Sequence, residues 1–317
     1  MRIPKIVGLL LVLLQTHAFA FDTTDTSFVE SPITLHTYTG SILGTVTVPQ
    51  SFSKGPVVLI IAGSGPTDRN GNNPMMKNNS LLQMAHSLAQ AGIASLRFDK
   101  RGIAGSQSAM VKEEDLRFED YVKDVTNWIR LLRADSRFTQ VIVAGHSEGS
   151  LIGMLAAKGL ADKYISISGA GKSAVNLIRE QLSPQPQQIK DIAFPILDSL
   201  ERGLTVKNVN LLLYSLFRPS VQPYLISWFK YDPAVEIQKL QIPTLILQGD
   251  NDIQVSLKDA QLLAAAKPAA QFVVIKKMNH ILKIVSDNKN DNIESYNDIT
   301  IPISIDLMDA MIRFIRK

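Results

Sequence analysis

Apolar residues fall along this chain in short runs of two kinds. Residues 34–38 and 42–48 alternate apolar and polar positions, as a strand does when one face lies on a core, and Gly40-Ser41 between them predicts the turn of a two-stranded opening. Runs 57–62, 93–98, 141–144, 164–167, 244–247 and 272–275 are instead continuously apolar, which suits strands covered on both faces. Between these runs, residues 81–90, 118–132, 151–160, 257–266 and 305–315 repeat apolar positions at helical spacing. Strand and helix alternate, so the expected fold is α/β, a mostly parallel sheet of about eight strands with helices on both faces.

The alternation is interrupted once. Residues 172–240 hold three prolines in their early part and several apolar helix-like pieces such as 209–217, with no convincing strand. They predict a helical cap inserted between a first body segment, 21–171, and a second, 241–317. Residues 286–298, rich in Asn and Asp, read as a polar loop. No internal repeat or low-complexity tract is present.

The first twenty residues form a separate unit. Arg2 and Lys5 make a basic start, residues 6–14 an apolar stretch, and Ala18-Phe19-Ala20 a small-x-small cleavage site, together the pattern of a secretory signal peptide cut after Ala20. As an uncleaved anchor the apolar stretch would be short, since crossing a bilayer takes roughly 20 residues. The expectation is a periplasmic or secreted protein with no stable membrane span in the mature chain. Export permits disulfides, yet the chain has no cysteine, so its stability must come from its core. Taking Arg2 and Lys5 from 33 basic side chains leaves 31 against 29 acidic ones, and no basic cluster with interleaved aromatics points to nucleic acid.

The candidate chemistry begins at Gly145-His146-Ser147-Glu148-Gly149, which follows the apolar run 141–144 and opens the helical pattern at 151–160. A serine on a sharp strand-to-helix turn requires unusual backbone angles and small residues two positions before and after it, a demand that Gly145 and Gly149 meet. Ser147 is therefore the expected nucleophile.

With its elbow and strand order, nearly the whole mature sequence resembles the α/β-hydrolase superfamily. That resemblance implies catalytic residues in the order serine, acid, histidine. Asp252, in the segment Gln248-Gly249-Asp250-Asn251-Asp252 after run 244–247, matches the acid position, with Asp250 as the second candidate. His280, just beyond run 272–275, matches the general base. His17 leaves with the signal peptide, and His36, His86 and His146 fall elsewhere in the pattern. The resemblance also implies an oxyanion hole from the backbone N–H groups of Glu148 and Ser64. It sharpens at Gly63-Ser64-Gly65-Pro66-Thr67-Asp68-Arg69-Asn70-Gly71-Asn72, which with the elbow is similar to a bacterial serine esterase group, although Ala62-Gly63 stands where a His-Gly lead is common. The stretch Asp99-Lys100-Arg101-Gly102 resembles the superfamily's loop after the fourth strand, where Asp99 and Arg101 are expected to fasten loops around the elbow.

The implied activity is hydrolysis of a small-molecule carboxylic ester of small or medium acyl length, with no cofactor and no metal. A serine peptidase or aminopeptidase and a thioesterase use the same three residues, and a catalytically silent binding protein could keep the fold. Epoxide and haloalkane chemistry on this fold takes a carboxylate nucleophile, against Ser147, and the glycines of 63–71 lack the lysine spacing of a P-loop. The sequence leaves two points open: whether the Glu148 side chain shapes the pocket or faces solvent, and whether Leu211, Leu212, Leu213, Leu216, Phe217, Leu225, Ile226, Trp228 and Phe229 line a pocket or pack a core.

Overall fold

The computed structural model describes residues 27–110 and 112–317; the signal-peptide reading of residues 1–20 lies outside them. In chain order the first elements are β1 (Phe28–Thr37), β2 (Gly40–Pro49), β3 (Gly55–Ile61), α1 (Ser80–Gln90), β4 (Ala94–Phe98), α2 (Phe118–Ala134), β5 (Phe138–His146), α3 (Glu148–Ala157) and β6 (Lys163–Ile167). Five helices follow with no strand among them: α4 (Ala174–Leu182), α5 (Gln187–Glu201), α6 (Tyr214–Phe217), α7 (Gln222–Trp228) and α8 (Pro233–Gln238). The chain then continues through β7 (Thr244–Gly249), α9 (Leu257–Ala266), β8 (Gln271–Ile275), α10 (Lys289–Glu294) and α11 (Ile305–Arg316).

The eight strands form one sheet in the order β1-β2-β4-β3-β5-β6-β7-β8. β2 runs antiparallel to both β1 and β4, and every other neighbouring pair is parallel. The pleat explains the apolar runs. Val57, Leu59 and Ile61 of β3, with Val141 and Val143 of β5, join a layer that contains Trp128 of α2 and Leu151 of α3. Their neighbours Val58, Ile60, Ile142 and Ala144 join the opposite layer, with Leu81 and Met84 of α1 and Met311 and Phe314 of α11. Both sets are buried, so neither leaves a polar position in the run. Each such aliphatic side chain contributes roughly 1.5–3 kcal/mol by leaving water, enough together to hold the central strands rigid beneath the loops at their ends.

Two local expectations need correction. The first turn lies earlier than Gly40-Ser41: Thr37 pairs with Gly40, which leaves Tyr38-Thr39 as a two-residue loop. Gly40 is needed for close packing, since a β-carbon there would stand 2.6 Å from the carbonyl oxygen of Ser108. The second correction concerns 286–298, which folds into α10 and a 3-10 turn, Ser295–Asn297, with Asn292 and Ser295 buried. Its Asn-rich composition serves internal hydrogen bonds: Asn288 caps α10 through the N–H of Asn290 at 2.8 Å, and Asn292 Nδ2 donates to the Asn251 carbonyl at 2.8 Å.

Candidate active site

β5 ends at His146 and α3 begins at Glu148, so the whole change of direction falls on Ser147, at φ 55° and ψ −122°. Such a backbone costs on the order of 1–3 kcal/mol and persists only where its surroundings impose it. Here they do. A β-carbon on Gly145 would lie 2.2 Å from the Gly149 carbonyl oxygen, and one on Gly149 would lie 2.5 Å from that of Ile61. The Ser147 N–H donates to the Ile167 carbonyl at 2.9 Å, fastening the turn to β6.

Asp252 follows β7 and His280 follows β8, and the two loops meet. His280 Nδ1 donates to Asp252 Oδ2 at 2.8 Å, which leaves Nε2 as the ring nitrogen available for a proton. The carboxylate takes three further bonds: its Oδ1 from the N–H groups of Gln254 at 2.8 Å and Val255 at 2.9 Å, its Oδ2 from Gln248 Nε2 at 3.1 Å. Burial by itself would raise the Asp252 carboxyl, but the His280 ring and the Val255 and Gln254 N–H groups hold it below its ordinary value. Asp250 lies outside this arrangement, exposed, accepting from the Lys277 N–H at 2.6 Å and from Lys276 Nζ at 2.9 Å. In the sequence Gln248 is only the first residue of the segment after run 244–247; the structure places it inside β7, and its role toward Asp252 carries no motif.

Further contacts hold the histidine loop. Asn279 Nδ2 donates to Ser295 Oγ at 2.8 Å and Asn292 Oδ1 at 3.2 Å, so the segment read as a plain loop supports His280 from behind. His146 Nε2 donates to the His280 carbonyl at 2.8 Å and the two rings stand 4.8 Å apart. Burial first, then the nearness of His280, push His146 down to about 3, so it is neutral and its proton is on Nε2. Ser147 and His280 line one cavity of about 160 Å3 together with Ser64.

The loop from Gly63 to Asn79 packs onto the elbow, with a β-carbon at Gly63 standing only 3.1 Å from Ser147 Cβ. Asp68 Oδ1 accepts from the N–H groups of Asn70 at 2.8 Å and Asn72 at 2.9 Å, which shapes its turn. Arg69 binds Asp99 through its N–H at 2.8 Å and its guanidinium at 2.6 Å, so Asp99 fastens this loop as expected. Arg101 ties its own loop to α2, pairing with Asp124 at 2.6 Å and donating to the Ala109 carbonyl at 2.7 Å. The backbone N–H groups of Ser64 and Glu148 have no protein acceptor among the described residues, which leaves both for a ligand.

A cavity of about 360 Å3 is bounded by Ser64, Ser147 and Glu148 on one side and by the helices inserted between β6 and β7 on the other. Leu177, Ile178, Leu216, Leu225 and Trp228 give it a largely apolar lining. Leu216, Leu225 and Trp228 therefore belong to the pocket; Phe217 and Leu213 are buried in the core, Ile226 and Phe229 pack against it, and Leu211 and Leu212 are exposed. Leu177 and Ile178 carried no signal beyond ordinary helical spacing. The Glu148 side chain is buried, its carboxylate paired with Lys100 Nζ at 2.8 Å and accepting from Tyr224 OH at 2.6 Å. Among the described residues there is no group of His, Cys, Asp and Glu able to hold a metal, and no helix long and apolar enough to cross a membrane.

An eight-stranded mixed sheet with helices on both faces and a serine on the turn after β5 defines the α/β-hydrolase fold. The chain belongs to the family described as serine aminopeptidase, S33, whose model matches residues 77–235, a span that includes the elbow and ends before Asp252 and His280. It is similar to Esterase EstD of Thermotoga maritima, with 25% identity over 285 residues, 84% of this chain and 63% of that protein. The chain thus spans less than two thirds of that relative's length. Among solved structures it resembles Est1E from Butyrivibrio proteoclasticus, with TM-score 0.61, 15% identity and coverage of 90% of this chain and 99% of that one. It also resembles the Pyrococcus furiosus esterase Pf2001, with TM-score 0.57, 14% identity and coverage of 99% and 98%. At these identities the structural likeness speaks for the fold.

Proposed function

We propose that the protein is a serine hydrolase that cleaves carboxylic esters of small to medium acyl chains through an acyl-enzyme on Ser147. The observation that carries this reading is a largely apolar cavity over Ser147 whose lining includes one carboxylate, Glu148, already bound by Lys100 and Tyr224. Such a cavity suits a neutral acyl chain. In the proposed reaction His280 Nε2 takes the Ser147 proton as the oxygen attacks the ester carbonyl, and Asp252 holds the ring and stabilises its charge. The Ser64 and Glu148 N–H groups bind the oxyanion, His280 returns the proton to the leaving alcohol, and water repeats the sequence on the acyl-enzyme.

The family's description raises the alternative of an aminopeptidase, which must hold a peptide's charged amine. No unpaired carboxylate lines the cavity among the described residues, which weighs against that substrate. The deciding experiment compares initial rates on p-nitrophenyl esters of increasing acyl length with rates on aminoacyl p-nitroanilides, alongside Ser147→Ala. Ester turnover that disappears in Ser147→Ala supports the proposal; turnover of the anilides alone replaces it with the peptidase reading.

We also propose that residues 1–20 direct export and are removed after Ala20. Expression of the full chain in a bacterial host should yield periplasmic or secreted protein whose amino-terminal sequence begins at Phe21. Protein that starts at Met1 in the cytoplasm would count against export.

A further inference from the structure

Lys100 is a buried cation whose side-chain hydrogen bonds lead to the oxyanion loop and the elbow. It is 2% exposed, its Nζ donates to the Gly63 carbonyl at 2.6 Å and to Glu148 Oε2 at 2.8 Å, and it stands 5.0 Å from the centre of the Tyr121 ring. Gly63 C=O and Ser64 N–H belong to one planar trans peptide unit, so they point in opposite directions. An ammonium fixed on the carbonyl end therefore sets the direction of the Ser64 N–H, and by drawing electron density toward the carbonyl makes that N–H a stronger donor. The same ammonium meets Glu148, whose own N–H is the second donor. A lone carboxylate on that residue would oppose negative charge developing a few ångströms away; Lys100 offsets it.

The third member comes from the inserted helices. Tyr224 of α7 gives its hydroxyl to Glu148 Oε1 at 2.6 Å and packs edge-on against Tyr121 with ring centres 5.7 Å apart. Seating of α7 and alignment of Glu148 are thus one event.

We propose that Lys100 is a positioning residue that aims both N–H donors of the oxyanion hole, and that Tyr224 makes this alignment depend on the seating of the inserted helices. The proposal rests on the esterase reading for its substrate, but its geometry concerns any acyl group presented to Ser147.

The test uses Lys100→Met, the charge-neutral pair Lys100→Met with Glu148→Gln, and Tyr224→Phe. The pair guards against a single variant that leaves an uncompensated buried carboxylate and fails to fold. Three quantities are measured on each: kcat and KM on the preferred p-nitrophenyl ester, inhibition by a trifluoromethyl ketone that forms a charged hemiketal on serine, and the rate of Ser147 labelling by a fluorophosphonate. Misaiming donors, which is less than deleting one, should lower kcat about 10- to 100-fold in the pair with KM within about twofold. Ketone affinity and labelling rate should fall by a similar factor, and Tyr224→Phe should show the same pattern at roughly 3- to 10-fold. Folded variants with wild-type kcat, ketone affinity and labelling rate would overturn the proposal and make the cluster a packing feature. A wild type inert on esters would sink the esterase reading alone, because the labelling rates still decide the role of Lys100.

Discussion

Asp252 and His280 come from loops after different strands yet meet at 2.8 Å, with the carboxylate further held by Gln248, Gln254 and Val255. Four bonds on one buried carboxylate leave it little freedom except to orient the imidazole. Asp252→Asn would keep the shape but offer Nδ1 the wrong partner for the working tautomer, and kcat should fall by about 10³- to 10⁴-fold. Asp250→Asn should keep kcat within about threefold and lower stability slightly, because Asp250 holds the turn at Lys276 and Lys277. Steady-state kinetics and melting curves of both variants check this; equal losses of kcat would remove the distinction.

His146 donates to the His280 carbonyl from a buried ring, and burial pushes it to about 3 from an ordinary 6.5. Between those pH values the unfolded chain binds a proton that the folded one refuses. Its contribution to stability is therefore complete above about 6.5 and drains away as pH falls toward 3, by an amount on the order of a few kcal/mol. Denaturant unfolding at pH 7 and pH 4.5 should show a steeper loss in wild type than in His146→Gln. Parallel losses in the two proteins would mean that other groups carry the acid sensitivity.

The parts of this molecule that were legible beforehand are those where one local demand dominates. The central strands had to be apolar on both faces, so their runs stand out in the sequence, and Ser147 required a glycine on each side. What stayed hidden depends on distant partners. Asn292 and Ser295 look like loop residues because their hydrogen bonds go to Asn251 and Asn279, which no pattern along the chain connects to them. The Glu148 side chain could not be placed because its partners, Lys100 and Tyr224, lie 48 and 76 residues away. Leu211 and Leu216 read alike in sequence, yet the first is exposed and the second lines the cavity, a difference set by how short helices pack.

The elbow glycines should be among the least replaceable residues near the site. A β-carbon at Gly145 would strike the backbone of Gly149 at 2.2 Å, and backbone on both sides is fixed by the sheet and α3. Gly145→Ala should cost at least about 4 kcal/mol and yield little soluble protein. Gly159 makes the control: its φ is +67° but nothing lies within 4 Å of an added β-carbon, so Gly159→Ala should cost only about 1–2 kcal/mol. Soluble yield and thermal melts of the two variants decide; a well-folded Gly145→Ala protein would show that the elbow can relax.

Acyl preference should be set by the inserted helices rather than by the sheet. Leu177 of α4 lines the cavity over Ser147 and is only partly buried, so a larger side chain can be placed there without breaking the core. Leu177→Trp would occupy space in a cavity of about 360 Å3, and each methylene denied burial forfeits roughly 0.8 kcal/mol. A chain that loses two or three such contacts should lose kcat/KM by about 10- to 100-fold, whereas an acetyl group that sits at Ser147 should be affected by less than about threefold. Measured across p-nitrophenyl esters from acetate to octanoate, the profile of Leu177→Trp should match wild type at the short end and collapse at the long end. A uniform loss at every length would mean that the substitution disturbs Ser147 or its donors, and that the acyl chain binds elsewhere.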